Sequence, residues 1–422
     1  MTKMKKLLYM AACMFATFLV SGCNDMNNEP SGTYGEDEFW SSVDKAQYLL
    51  NMIYNQHYSA TMMWSDETLS DNLMRARDYG DERVIRNGNA ESTTPIFAST
   101  WKNLYGGIKT ANMFLANIDR LKADPKQING MKAQARYLRA WMYLRLTEFY
   151  GNVPYFTHEL SVSESKRVTR TPHVQIMRAL HTELDSIMPH LPRRDDLTDD
   201  QRGQITCGAA VALQARAYLY DGDWAKAERY CNMLISQQEQ YGHYGLFPNY
   251  AALFTQEAEY NEEIIADCEY APKVRVWDDM FNMAPLSVGA RLNEIAPTQS
   301  LVDAFLMLDG QTAEQSPLYD ASKPYANRDP RLTATVVYDG YRWSDNVDDG
   351  TKDKVIYTNP DALDKTDAFA GLNKNQTPTG YYVRKYYDAK HEYHMHSSIN
   401  IITMRYADVL LMYAETMNEQ GK

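Results

Sequence analysis

The sequence predicts a mainly α fold, a helical scaffold with a loop-rich lobe of short β-strands set before its last helix. Three observations predict it. Apolar residues recur at helical spacing in one segment after another. An Ala-rich segment, a tight Asp-Gly-Asp break and a second amphipathic segment read as a helical hairpin. After about residue 262 that periodicity gives way to clusters of Pro, Gly, Asn and Asp with brief β-like runs.

The chain opens on a different signal. Lys3, Lys5 and Lys6 form a basic start, and Leu7 to Val20 is an apolar stretch too short to cross a bilayer. Val20-Ser21-Gly22-Cys23 follows as a small-residue cleavage site ending in cysteine. A thiol there can carry a diacylglycerol before the peptidase cuts, so residues 1–22 read as a lipoprotein signal and Cys23 as the lipid attachment point. Several acyl chains together anchor a protein firmly without any spanning helix. Residues 23–35, polar and rich in Asn, Pro, Ser and Gly, read as a tether. No other apolar run is long enough to span.

From there the helices follow in order. Ser42 to Gln56 places Val43, Ala46, Leu50 and Ile53 on one face. Residues 61–99 lack periodicity and read as loops and short turns. Trp101 to Ile118 is a helix, and Met131 to Tyr150 another, with Leu138, Trp141, Met142, Leu146 and Phe149 on its stripe and Gly151 as its stop. Thr171-Pro172 opens the next, with the threonine as cap. Ile205 to Tyr220 and Trp224 to Gln237 form the hairpin, whose second helix starts Trp-Ala-x-Ala; the pair resembles a degenerate tetratricopeptide unit. Glu263 to Tyr270, Thr333–Tyr338 and Gly380–Lys385 read as strands, and helical order returns over Thr403 to Asn418. The scaffold is thus expected over about 41–260 and 402–422, the lobe over about 262–400.

Composition narrows the function. A hydrophobic content of 44% suits a globular protein with one large core or two smaller ones. A formal net charge of -12 argues against nucleic acid, whose binders present a basic face. The supply of 31 Tyr and 7 Trp is rich in flat, half-polar faces suited to sugar rings. Beyond Cys13 and Cys23, the cysteines Cys207, Cys231 and Cys268 show no metal-type spacing and read as buried thiols.

Enzyme signatures are missing: no Gly-x-Gly-x-x-Gly, Walker loop, Gly-x-Ser-x-Gly or His-Glu-x-x-His occurs. The adjacent acids Glu262-Glu263 and Asp278-Asp279 cannot straddle a sugar as a glycosidase pair must. His394 and His396 would share a strand face, but they read as a polar turn. The acids around Gly350 fail the EF-hand register, because Val347 and Ile356 stand where ligands are required, which leaves a looser calcium loop as the open alternative there. No catalytic residue, metal or cofactor is expected.

Nine blocks, in order, resemble the RagB/SusD family of outer-membrane nutrient-binding lipoproteins. They are Gly35 to Trp40, Trp101 to Asn112, Ala135 to Pro154, Ala215 to Trp224, Asn261 to Ile265, Pro297 to Gly310, Arg328 to Leu332, Gly380 to Lys385 and Arg405 to Glu415, the last reading Arg-Tyr-Ala-Asp-Val-Leu-Leu-Met-Tyr-Ala-Glu. The resemblance implies a tetratricopeptide-like right-handed scaffold with a ligand-bearing lobe. It implies a surface-exposed, lipid-anchored protein of the outer membrane that captures an oligosaccharide, or in some members a peptide, and hands it to a SusC-like TonB-dependent barrel. Family chains usually continue past the last block, so ending at Lys422 suggests a C-terminally truncated member. An adaptor lipoprotein built on helical hairpins and an α-helical glycoside hydrolase are the competing classes.

Sugar binding needs an aromatic face with planar acid, amide or guanidinium groups for the hydroxyls. Two stretches offer this outside the helical stripes, and family contacts tend to come from both. The first holds Trp64, Asp66, Asp71, Arg75, Arg77 and Asp78; the second, Val276 to Arg291, holds Trp277, Asp278 and Arg291. Trp64 and Trp277 are the expected stacking platforms.

Overall fold

The computed structural model describes residues 40–77, 80–345, 353–391 and 395–422. Cys23, Asp78 and His394, and the acids Asp348 and Asp349, lie outside them. The helices that build the scaffold are α1 (Val43–His57), α2 (Ala60–Glu67), α3 (Pro95–Asn117), α4 (Pro125–Tyr150), α5 (His173–Ile187), α6 (Cys207–Tyr220), α7 (Trp224–Ser236) and α8 (Tyr406–Glu419). Among the described residues no helix is long and apolar enough to cross a membrane.

Apart from α2, these helices stack in chain order. α1 lies on α3 and α4, α3 on α4, α4 on α5, α5 on α6, α6 on α7, and α8 from the chain's end packs onto α7. Small residues permit the closest approaches. A Cβ at Gly107 of α3 would lie 2.5 Å from Met142 Sδ of α4, so glycine lets the two helices cross without displacing the methionine side chain. In α6 the alanines 209, 210, 212, 215 and 217 are all buried, which lets α7 come close. Arg139 of α4 is buried, and both terminal nitrogens of its guanidinium are engaged. It donates to Asn112 Oδ1 at 2.6 Å, to Glu183 at 2.6 Å and to the Thr157 carbonyl at 3.1 Å, joining α3, α4, α5 and a loop.

Several boundaries differ from the sequence expectation. α3 starts at Pro95 rather than Trp101, and α4 at Pro125 rather than Met131. In both, proline occupies the first turn, where its missing N–H costs nothing. Asp124 caps α4 by accepting from the Lys126 N–H at 2.9 Å. Thr171 does not cap α5: its N–H goes to the Val153 carbonyl at 2.8 Å in an isolated bridge. Within residues 61–99, expected to be loops, lie most of α2 and a short helix, Asp81–Arg86. Thr333–Thr335 completes a helical turn before a two-residue strand.

Among the described residues, four two-stranded antiparallel sheets build or border the lobe. β1 (Leu73–Arg75) pairs with β3 (Ile295–Pro297), β2 (Ile264–Cys268) with β8 (Ile401–Arg405), β4 (Val336–Val337) with β7 (Tyr382–Val383), and β5 (Tyr341–Trp343) with β6 (Lys354–Ile356). Thr403–Arg405 is therefore strand, not the first turn of the last helix. β-branched Ile401, Ile402 and Thr403 favour extension, and Arg405 keeps φ -136° and ψ 159° before α8 begins.

Among the described residues two large apolar cores result, apart from a small third cluster of Val302, Leu332, Val336 and Tyr381. One runs through the helical stack and includes Trp40, Leu138, Tyr143, Leu234, Met404 and Val409. The other fills the lobe around Trp343, Tyr382, Trp277 and Met283, and it draws in Ala60, Trp64, Leu73, Leu253 and Phe254 from earlier in the chain. Cys207, Cys231 and Cys268 are buried free thiols. In each, burial pushes the thiol pKa up, to about 11, about 12 and about 11 respectively.

Candidate ligand surface

The pairing of β1 with β3 brings together the two stretches singled out in the sequence. Arg75 lies opposite Ile295, and the Ala76 N–H donates to the Glu294 carbonyl at 2.8 Å. The Thr61 hydroxyl donates to Asp279 at 3.2 Å, tying α2 to the segment after Trp277. Asn373 and Asn375 stitch a third loop to this face through the Ala76 carbonyl and the Asn293 N–H.

Charged and planar groups gather on the face. Arg291 is exposed, with its guanidinium 5.4 Å from the Phe281 ring centroid and a hydrogen bond to Asn282 Oδ1 at 3.0 Å. Asp278 is exposed, while its sequence neighbour Asp279 is half-buried. Burial, with the Asp278 charge adding, pushes the Asp279 carboxyl up to about 6. Arg75 pairs with Glu82 at 2.9 Å. Burial alone would raise the Glu82 carboxyl, but hydrogen bonds from Arg75 and Ser65 hold it below its ordinary value.

The two tryptophans lie elsewhere. Trp64 and Trp277 are each only 4% exposed and belong to the lobe core. Trp277 Nε1 donates to the Ile399 carbonyl at 2.9 Å, and the Trp64 ring meets Tyr386 edge-on at 6.1 Å. Neither offers an open face to a sugar in this structure. Their surroundings give the reason, since Met62-Met63-Trp64 and the segment to Met280 supply apolar neighbours that fold inward. Half-buried Phe281, beneath Arg291, is the aromatic ring this face presents. Nothing in the local sequence separates Phe281 from a core residue; only its distance from the Arg291 guanidinium does.

Asp66 sits apart from this face. It binds Arg145 of α4 in a cleft of about 440 Å³ between the helical stack and the lobe, which Trp141 and Tyr386 also line. Burial raises the Asp66 carboxyl against the opposing pull of Arg145. Across the cleft, Arg216 of α6 meets Asp408 of α8 at 2.6 Å, and Arg405 meets Glu263 at 2.6 Å. Among the described residues no group of three or more His, Cys, Asp or Glu side chains is placed to hold a metal ion.

Comparison with known proteins accords with this architecture. Residues 29–219 match a SusD-like family described as starch-binding and associating with the outer membrane, and residues 278–422 match the SusD family. SusD-like protein P25 of Formosa agariphila is 27% identical over 344 residues, which is 76% of this chain and 58% of that one. SusD-like protein P2 of the same organism is 24% identical over 411 residues, 94% of this chain and 75% of that one. The chain therefore spans between about half and three quarters of the length of these relatives. Among solved structures, a SusD-like carbohydrate-binding protein from Bacteroides fragilis superposes with a TM-score of 0.82 at 24% identity, over 91% of this chain and 75% of that one. A surface glycan-binding protein from Bacteroides uniformis gives 0.67 at 21% identity, over 90% and 76%. A laminarin-binding SusD-like protein gives 0.62 at 21% identity, over 90% and 81%. At these identities the structural likeness speaks for the fold, and the sequence matches speak for the lineage: the chain belongs to the SusD/RagB family.

Proposed function

We propose that this protein is a surface lipoprotein of the outer membrane, anchored through Cys23, that captures an oligosaccharide on its lobe and delivers it to a SusC-like TonB-dependent transporter. It performs no bond chemistry in this role. The observation that carries the proposal is the face stitched by β1 and β3, where Arg75, Asp278 and Arg291 with its Phe281 ring converge from segments some 200 residues apart. Planar charged groups beside an aromatic ring suit pyranose hydroxyls and C–H faces. The family's description as starch-binding and outer-membrane-associated supports the same reading, as do the carbohydrate-binding, glycan-binding and laminarin-binding names of proteins with this fold.

The test is a glycan and peptide binding screen on the protein from Asn24 onward. Removing a charge-assisted hydrogen bond costs about 1.5–3 kcal/mol, so Arg291→Ala should weaken saccharide binding roughly tenfold or more. Binding confined to peptides, or saccharide affinity unchanged in both Arg291→Ala and Asp278→Ala, would dismiss the proposed face. Pull-down from membranes should recover a barrel transporter, and repeated failure would remove the delivery role.

A further inference from the structure

The cleft between the stack and the lobe has a charge pattern that the surface role does not use. Three of its four basic side chains are matched. Arg145 binds Asp66 and Glu148, Arg216 binds Asp408, and Arg405 binds Glu263. Lys385, which follows β7, is the fourth. Among the described residues no carboxylate approaches its ammonium within 4.0 Å.

Three aromatic rings and a second cation stand closest to Lys385. Its Nζ lies 3.9 Å from the Phe254 ring centroid, with Tyr250 at 5.9 Å and Tyr386 at 6.0 Å. The Arg405 guanidinium shares the same Phe254 ring at 5.9 Å. Two cations thus flank one ring in a half-enclosed site. Burial first, and then Arg405, push the Lys385 amine down to about 8, while Glu67 and Glu263 pull the other way from farther off. Glu263 is already committed to Arg405. A ligand anion set against Lys385 would offset both penalties.

We infer that this cleft binds a uronate unit of an acidic oligosaccharide, with its carboxylate on Lys385 and its ring against the aromatic wall. The inference rests on the glycan-binding reading above and narrows its ligand class. Three features favour a singly charged sugar over a phosphate or a dense polyanion. The volume of about 440 Å³ falls within the range of ligand pockets. Tyr58, Trp141 and Tyr386 supply ring faces or edges along it. Asp66, Glu67, Glu148 and Asp408 can accept from hydroxyls, and once Lys385 is matched a second negative charge would face these acids with no unmatched cation among the described lining residues.

Calorimetry at pH 7 with matched probes tests the inference. Each acidic probe carries one carboxylate: glucuronosyl-glucose (cellobiouronate) against cellobiose, and glucuronate-substituted xylotriose against xylotriose. At least one acidic probe should bind tenfold or more tightly than its neutral partner. Lys385→Met should remove that preference, and Lys385→Arg should retain most of it. Acid binding by the wild type should fall between pH 7 and 9.5 as Lys385 loses its proton, and the arginine variant should stay flat. Equal affinity for acidic and neutral probes, or full preference in Lys385→Met, overturns the inference. If neutral saccharides bind under those outcomes, the glycan-binding reading survives alone; if no saccharide binds in the wider screen, both fall. Should Lys385→Met unfold, the wild-type pH profile and Lys385→Arg decide the matter.

Discussion

Asp267→Asn should stabilise the protein at alkaline pH and leave it nearly unchanged in acid. Asp267 is a buried residue of β2 and accepts a hydrogen bond from Asn400 Nδ2 at 3.1 Å. Burial pushes its carboxyl from the ordinary 3.8 up to about 7, with the charges of Glu269 and Glu259 adding. The folded protein therefore holds this proton more tightly than the unfolded chain does. The resulting stabilisation is fully present below pH ~4 and is lost as pH rises through about 7. At 1.36 kcal/mol per pKa unit, the interval corresponds to at most about 4 kcal/mol. Relaxation and water penetration around a buried charge lower such a penalty, so about 2 kcal/mol is the working magnitude within that bound. An asparagine keeps an acceptor for Asn400 and carries no charge. Urea unfolding at pH 4 and pH 8.5 should show the variant gaining about 2 kcal/mol over the wild type only at the higher pH. An equal difference at both values, or a loss at pH 8.5, would refute the reasoning.

Other expectations follow from the scaffold and the anchor. Arg139→Met leaves Glu183 buried without its closest partner and should cost about 3–5 kcal/mol by thermal unfolding, with Arg139→Lys a poor substitute because it cannot reach three acceptors at once. Gly107→Ala places a methyl against Met142 and should cost about 1–3 kcal/mol; pairing it with Met142→Ala should recover part of the loss in a double-mutant cycle. Cys23→Ala should move the protein from the membrane fraction to the soluble one. Persistence of that variant in the membrane, shielded from added protease, would end the outward-facing lipoprotein reading.

The helical stack was legible because a 3.6-residue period leaves a stripe in every long helix. α6 and α7 lie within a residue or two of their expected bounds, since caps at Thr206 and Asp223 and the Asp-Gly-Asp turn mark them locally. The starts of α3 and α4 were missed because their first turns, after Pro95 and Pro125, are exposed and carry no stripe. α2 was missed because its apolar residues face the lobe core in an unperiodic Met-Met-Trp run. The strands left almost no local signal. Each is two to five residues long, and β1 finds its partner more than 200 residues away. For the site, composition picked out two stretches that β1 and β3 do bring together. It could not tell an aromatic ring that faces solvent from one that fills a core, and on that point Trp64 and Trp277 went inward. Nor could it pair Asp66 with Arg145, whose contact depends on how α2 meets α4.

The ribbon of β2 and β8 places the start and the finish of the lobe side by side, and α8 leaves directly from the second strand to rejoin the stack. To the stack, everything between these strands is one long closed loop. Loop closure grows only logarithmically with length, about 0.6 kcal/mol for each doubling. Whole segments between Tyr270 and Asn400 can therefore be lengthened, shortened or replaced at small cost to the helices beneath. A transplanted lobe would have to bring α2 and β1 with it, because Trp64 and Leu73 fill its core. The scaffold thus works as a socket into which lobes of different specificity can be fitted.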